Sequence, residues 1–321
     1  MTSNCLVRRT LVGVAVVLLV AGCSGGAPSS AAVPSGGASV QATPPSTPLA
    51  KSPDPTPRPT ASQKRARAEW PFEWTFCEDA PGDARLAVAL GTSETAGWYL
   101  KPERAYSPEA AYPGLYADIL CKELGRPVEL HSYFPSPNGN ALAPLAWWIE
   151  EVSDDEDIRA DLSEADVVVL WAMSSHDVVK ALFLPGACGG PWPDPLKACL
   201  EEATGDIPGE TDELFGLIAN LVRDDATVLA GDSFAPPIAI SMNGDKAYRD
   251  EVKAMVDPYF SVKPLAEKHG FTFVDTEVVF NGPTRWEMPA EGLFQSDGLH
   301  LTAAGQQLAA DTYAEQDGLG D

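Results

Sequence analysis

The chain has 321 residues, 45% of them hydrophobic, and a formal net charge of −24 at pH 7. The charge divides sharply, with +6 over residues 1–68 and −30 over residues 69–321. A segment that acidic repels phosphate backbones and anionic lipid head groups, which argues against nucleic acid as a partner, and about 250 residues suit one α/β domain with a sizeable core.

Three regions follow in chain order. Residues 1–23 carry Arg8 and Arg9, an apolar run from Leu11 to Val20, and Ala21 and Gly22 directly before Cys23. This is a signal peptide whose apolar run is too short to remain as a membrane-spanning helix. Its small-residue ending resembles a bacterial lipobox, which implies a diacylated Cys23 holding the protein on the outer face of the cytoplasmic membrane; ordinary cleavage and secretion is the other reading. "RRTLV" is a loose match to a twin-arginine signal, so the export route stays open. Residues 24–68 are rich in Pro, Ser, Ala, Thr and Gly without periodic apolar spacing, as expected of a disordered tether. Polyproline stretches extend by roughly 3 Å per residue, so the tether supplies distance from the lipid. The lipid is then the domain's only membrane contact. Residues 69–321 form the folded domain, expected to be a monomer.

Four cysteines remain in the domain: Cys77, Cys121, Cys188 and Cys199. Outside the cytoplasm an even count favours disulfides, and four cysteines allow three pairings. The short, turn-rich "ACGGPWPDPLKAC" favours Cys188 with Cys199, a closure contributing roughly 3 kcal/mol in the chain-entropy model, and leaves Cys77 with Cys121. The spacing lacks any CxxC pair and the chain has 4 histidines, so no metal site is expected.

Along the domain, apolar runs alternate with helical patterns. "RLAVAL" (85–90) reads as a buried strand, "YPGLYADILCKEL" (112–124) as a helix ended by Gly125, and "PVELHSY" (127–133) as a second strand. "LAPLAWWIEEV" is helical, "ADVVVLWA" (165–172) is the plainest strand, and "DELFGLIANLVRD" is helical again. "ATVLA" (226–230) and "FTFVD" (271–275) are further strands, with a long helix across much of 246–269 between them and a last helix after Thr302. This alternation predicts an α/β fold, a three-layer α/β/α sandwich around a mainly parallel five-stranded sheet. Ligands then bind in the loops after the strands' carboxyl ends.

The most informative of these loops is "FQSDGLHLTAAG". Asp297 and His300 stand three apart before Thr302, a helix cap, so one loop can present an imidazole with a carboxylate beside it. The other histidines fit other roles: His269 ends a helix, where the dipole favours it, and His131 is a structural strand residue. "DGLHLTxxGxxxxA" resembles the last sequence block of the SGNH/GDSL hydrolases. That resemblance implies the flavodoxin-like SGNH fold and a serine nucleophile in the loop after the first strand. "GTSETAG" puts Ser93 there, with Gly91 allowing a tight turn, Gly97 closing the loop, and Thr92 in place of the family's Asp.

A literal GDS occurs at 231–233, but only one strand separates Ser233 from His300. The two loops that should complete the site would precede it, so the resemblance assigns the nucleophile to Ser93. It also implies an oxyanion hole built from the Ser93 amide, the amide of Gly139 (flanked by Asn138 and Asn140, so the alignment can slip by one), and a third donor at His176. His176 falls where the family has Asn; either its imidazole replaces that donor or the hole has two amides. The implied activity is serine ester hydrolysis with Asp297 orienting His300, needing no cofactor. The substrate is a small acyl ester, or an acylated glycan or lipid if Trp147, Trp148, Trp192 and Trp286 offer stacking faces. The departures at Thr92 and His176 also suit a second reading, a degenerate hydrolase fold kept as an envelope binding or scaffold protein.

Overall fold

The structure is a computed structural model and describes residues 71–98, 100, 106–135, 143–171, 173, 198–199, 201–202, 204–234, 262–285 and 287–319. The leader with Cys23, the tether, and Gly139, His176, Cys188, Trp192 and Trp286 lie outside the described residues. The chain separates into Met1–Thr56 and Pro57–Asp321, and every described residue belongs to the second unit.

Six strands form one sheet: β1 (Phe72–Phe76), β2 (Arg85–Gly91), β3 (Val128–Tyr133), β4 (Val167–Trp171), β5 (Thr227–Gly231) and β6 (Thr272–Val274), in the order β1-β3-β2-β4-β5-β6. The five expected strands are all present and mutually parallel. The sheet is nevertheless six-stranded, because β1 adds an antiparallel edge to β3, pairing Trp74 with Leu130. Taken without β1, the parallel strands follow the flavodoxin-like order 2-1-3-4-5. The first parallel strand, β2, thus lies between β3 and β4. The chain leaves β2 in opposite directions across the sheet on its way to β3 and β4, and the crevice at this reversal is where such sheets bind ligands.

Both faces of the sheet are covered, which is why β4 can be five consecutive buried residues, Val-Val-Val-Leu-Trp. Successive side chains alternate between faces, so Val88 and Leu90 enter one core while Ala87 and Ala89 enter the other. On the first face lie α3 (Leu145–Asp154), α4 (Glu156–Glu164), α5 (Ile207–Leu221) and α6 (Lys263–Lys268), which contribute Trp148, Ile158, Phe215 and Ala266 to that core. On the second lie α2 (Tyr112–Leu124), α7 (Thr276–Asn281) and α8 (Ala303–Gln316), which contribute Tyr116, Phe280 and Tyr313. Burial of each large apolar side chain favours the fold by about 1.5–3 kcal/mol. A one-turn helix, α1 (Ser93–Ala96), follows β2.

Local chemistry sets the helix ends. Pro113 stands in the first turn of α2 and Gly125, at φ 62°, terminates it. The Thr302 hydroxyl accepts the Gly305 amide and starts α8 as expected. Where a long helix across much of 246–269 is expected from the sequence, the structure has a six-residue helix, Lys263–Lys268, that starts after its N-cap Val262; residues 246–261 lie outside the described residues. A disulfide joins Cys77 to Cys121 and ties the end of β1 to α2. Cys199 is disulfide-bonded as well.

Candidate active site

The strand β2 ends at Gly91, and the chain turns directly into α1 with Ser93 as its first residue. Gly91 makes this turn without a left-handed conformation; a Cβ there would strike the Thr95 hydroxyl and crowd the Trp171 carbonyl. Gly97, at φ 63°, closes the turn as expected. Thr92 is extended at the helix N-cap and makes no side-chain capping bond.

On the other side of the site, residues 293–302 fold as a tight loop. Phe294 bridges Leu301, the Gln295 amide donates to the His300 carbonyl at 2.7 Å, and Gly298 donates to Gln295 at 2.9 Å. The Asp297 Oδ1 accepts the amides of Leu299 (2.9 Å) and His300 (3.1 Å), and its Oδ2 lies 2.7 Å from His300 Nδ1. Burial opposes ionisation of Asp297, but the His300 ring and the two amides outweigh it and hold the carboxyl below its ordinary pKa. An ionised carboxylate facing Nδ1 fixes the proton on that nitrogen and leaves Nε2 as the basic atom.

The two segments meet. The Trp98 ring stacks on the His300 ring with centroids 5.8 Å apart, and the Trp98 amide donates a hydrogen bond to the Ser93 carbonyl at 3.1 Å. Gln295 Nε2 donates to the Trp98 carbonyl at 2.9 Å and the Leu301 carbonyl at 2.8 Å. Glu94, next to Ser93, accepts the Leu301 amide at 3.3 Å. Residues separated by about two hundred positions therefore share one rim, at the carboxyl end of β2 where the strand order reverses. Glu94, Gln295 and Trp98 were not singled out in the sequence, and their partners are too distant in the chain for any spacing rule to reveal them.

The GDS at 231–233 has structural employment. Gly231 leaves room for the Tyr313 hydroxyl, and Asp232 is buried, accepting Thr276 Oγ1 (2.9 Å), the Glu277 amide (3.0 Å) and Arg285 (3.1 Å). The Ser233 hydroxyl is buried and has no hydrogen-bond partner among the described residues, so none of them stands ready as a base to take its proton.

His131 and His269 are accounted for by structure. His131 contacts Asp161 at 2.6 Å and Glu129 at 3.1 Å, and although burial opposes its charge these carboxylates push its pKa up to about 9. Glu73, Glu129 and His131 bring ligand atoms within 4.8 Å of one another, but His131 is already engaged by ion pairs to Glu129 and Asp161. His269 sits at the C-cap of α6 and pairs with Asp212 at 2.8 Å. Trp148 is fully enclosed in the core and cannot stack on a sugar, which corrects that expectation; Trp147 is half-buried and packs edge-on against it. An open cavity of about 720 Å³ lined by Arg85, Glu129, His131, Asp166 and Arg223 lies at the amino ends of the strands, away from the ligand-binding rim.

No family model matches the chain, and no curated protein matches it in sequence. The fold does have solved counterparts. A lipase, Lip_vut3, from a goat rumen metagenome is 13% identical, with 73% of this chain and 97% of that one covered at a TM-score of 0.50. An acetyl xylan esterase, Axe2, from Geobacillus stearothermophilus is 19% identical, with 75% and 97% covered at a TM-score of 0.50. The likeness is one of fold, and it agrees with the sandwich expected from the sequence.

Proposed function

We propose that the domain is a serine ester hydrolase in which Ser93 is the nucleophile, His300 the general base and Asp297 the residue that orients it. The observation that carries this reading is the Asp297–His300 pair, ordered within its own loop and docked through Trp98 and Gln295 onto the turn that begins with Ser93. The fold likeness to two proteins named as a lipase and an acetyl xylan esterase supports it.

In this reading Ser93 Oγ attacks the ester carbonyl carbon as its proton passes to His300 Nε2. The oxyanion is received by the amides of Ser93 and Gly139 and by the His176 side chain. The imidazolium then protonates the leaving alcohol, giving an acyl-enzyme that water cleaves by the same route. Small acyl esters, including acylated glycans and lipids, are the substrate class. The leader and Cys23 place the domain outside the cytoplasm, anchored by lipid, with the Pro-rich segment as its tether; among the described residues no helix is long and apolar enough to cross a membrane.

The test is covalent trapping with a fluorophosphonate. Wild type is expected to take the label and Ser93→Ala to lose it. A folded wild type that takes none overturns the hydrolase in favour of an envelope binding protein built on the same fold.

A further inference from the structure

Glu94 is an acidic side chain held between the two halves of the site, and nothing in the hydrolytic scheme above uses it. It follows Ser93 directly, is 5% exposed, and its carboxyl reaches the final loop and α8. Its Oε2 accepts two donors, the Leu301 amide at 3.3 Å and Gln306 Nε2 at 3.0 Å. Gln306 is fixed in turn, since its Oε1 accepts the Tyr112 amide at 2.7 Å and its Nε2 also reaches the Glu94 carbonyl at 3.3 Å. The Leu301 amide belongs to the peptide bond that joins His300 to Leu301. One carboxyl group thus links the residue after the nucleophile to the peptide unit after the base.

We propose that Glu94 is a positioning residue for the hydrolysis, and that its Oε2 fixes the His300 loop against the Ser93 turn. This rests on the assignment of Ser93 and His300 above. The groups that face it are Asp297 and the Leu301 amide from the loop, Gln306 from α8, and Tyr112 from α2, whose hydroxyl bonds Thr95 at 3.2 Å. The charge acting on it is that of Asp297, which has the same sign. Burial, opposed by the Leu301 and Gln306 bonds and reinforced by Asp297, pushes the Glu94 carboxyl up to about 8. In the acid form Oε2 serves both N–H donors while Oε1 carries the proton. Ionisation places a second negative charge beside Asp297 in a buried site; the Leu301 and Gln306 donors favour the carboxylate, but its repulsion acts on the residue that orients His300. The acid is therefore in its working state below about pH 8 and leaves it above.

The Glu94→Gln side chain is an isostere of the acid form that cannot ionise, whereas Glu94→Ala removes the link. The experiment measures kcat and KM for p-nitrophenyl acetate across pH in wild type and both variants, together with the His300 ring resonances by NMR. Wild-type kcat is expected to fall as pH rises through about 8, and E94Q to lack that fall. E94A should lose about tenfold or more in kcat with little change in KM, since misplacement costs transition-state geometry, and E94Q should recover most of that loss. The His300 resonances should show an inflection near 8 in wild type that is absent from E94Q. An E94Q profile and ring titration identical to wild type would overturn the proposal, as would wild-type kcat in E94A. Should E94A fail to fold, E94Q decides alone. If wild type hydrolyses no ester, the hydrolase assignment has failed, and the ring titration of wild type against E94Q still decides whether Glu94 is coupled to His300.

Discussion

Asp297 uses both oxygens, Oδ1 to shape its own loop through the Leu299 and His300 amides and Oδ2 to hold the His300 ring. These functions separate in Asp297→Asn. The amide oxygen can still accept backbone N–H groups, but an NH2 facing Nδ1 reverses the tautomer and removes the base at Nε2. By analogy with other triads, kcat for p-nitrophenyl acetate should fall by about 10⁴ with KM little changed. An Asn variant within tenfold of wild type would show that another group orients the ring. Asp297 and His300 were legible in the sequence because both lie in one short loop and their spacing encodes their contact. Glu94 was not, because an acid in the first turn of a helix is ordinarily explained by the helix dipole. Its actual partners, Leu301 and Gln306, are fixed only when α8 docks. For Gly91 the turn was legible, but the close approach of Thr95 and Trp171 that excludes a side chain there was not.

At the level of elements, buried parallel strands announce themselves as apolar runs, and all five were readable. The edge strand β1 follows another rule. Its burial alternates along Phe-Glu-Trp-Thr-Phe, with the aromatic side chains half-buried and Glu73 and Thr75 exposed. That period-two signal sits beside the tether and lies outside the βα alternation from which the sheet was inferred. What keeps β1 in place beyond its pairing with β3 is the Cys77–Cys121 disulfide, which closes a sequence separation of 44 residues. The chain-entropy model gives such a closure about 4 kcal/mol. Replacing both cysteines by serine is therefore expected to lower the unfolding free energy by about 2–4 kcal/mol in urea melts, and an unchanged midpoint would contradict the role assigned to this bond. The GDS at 231–233 shows how a motif misleads at this level. Its Asp232 joins β5 to α7 and Arg285, so the three letters recur for packing reasons.

Across the whole molecule, several groups hold protons more tightly when folded, and three of them change over the range from about pH 4 to 9. Glu94 moves from 4.5 to about 8, Asp232 from 3.8 to about 6, and His131 from 6.5 to about 9. A raised folded pKa adds stability that is complete below the unfolded value and is lost as pH rises through the folded one, whether the group is an acid or a histidine. The opposite case is Asp297, whose pKa is lowered, so its contribution is present above 3.8 and lost as pH falls through its folded value. Thermal stability should therefore be greatest at about pH 4–5 and decline towards pH 9, the E94Q variant declining less between about 4.5 and 8. A melting temperature that rises over that interval would contradict these assignments.

Reactivity of one hydroxyl tests the account most directly. Wild type, Ser93→Ala and Ser233→Ala are each treated with a fluorophosphonate, and the modified peptide is located by mass spectrometry. The adduct should form on Ser93 in wild type and Ser233→Ala, and be absent from Ser93→Ala. An adduct mapped to Ser233, or labelling that survives in Ser93→Ala, would contradict the site described here.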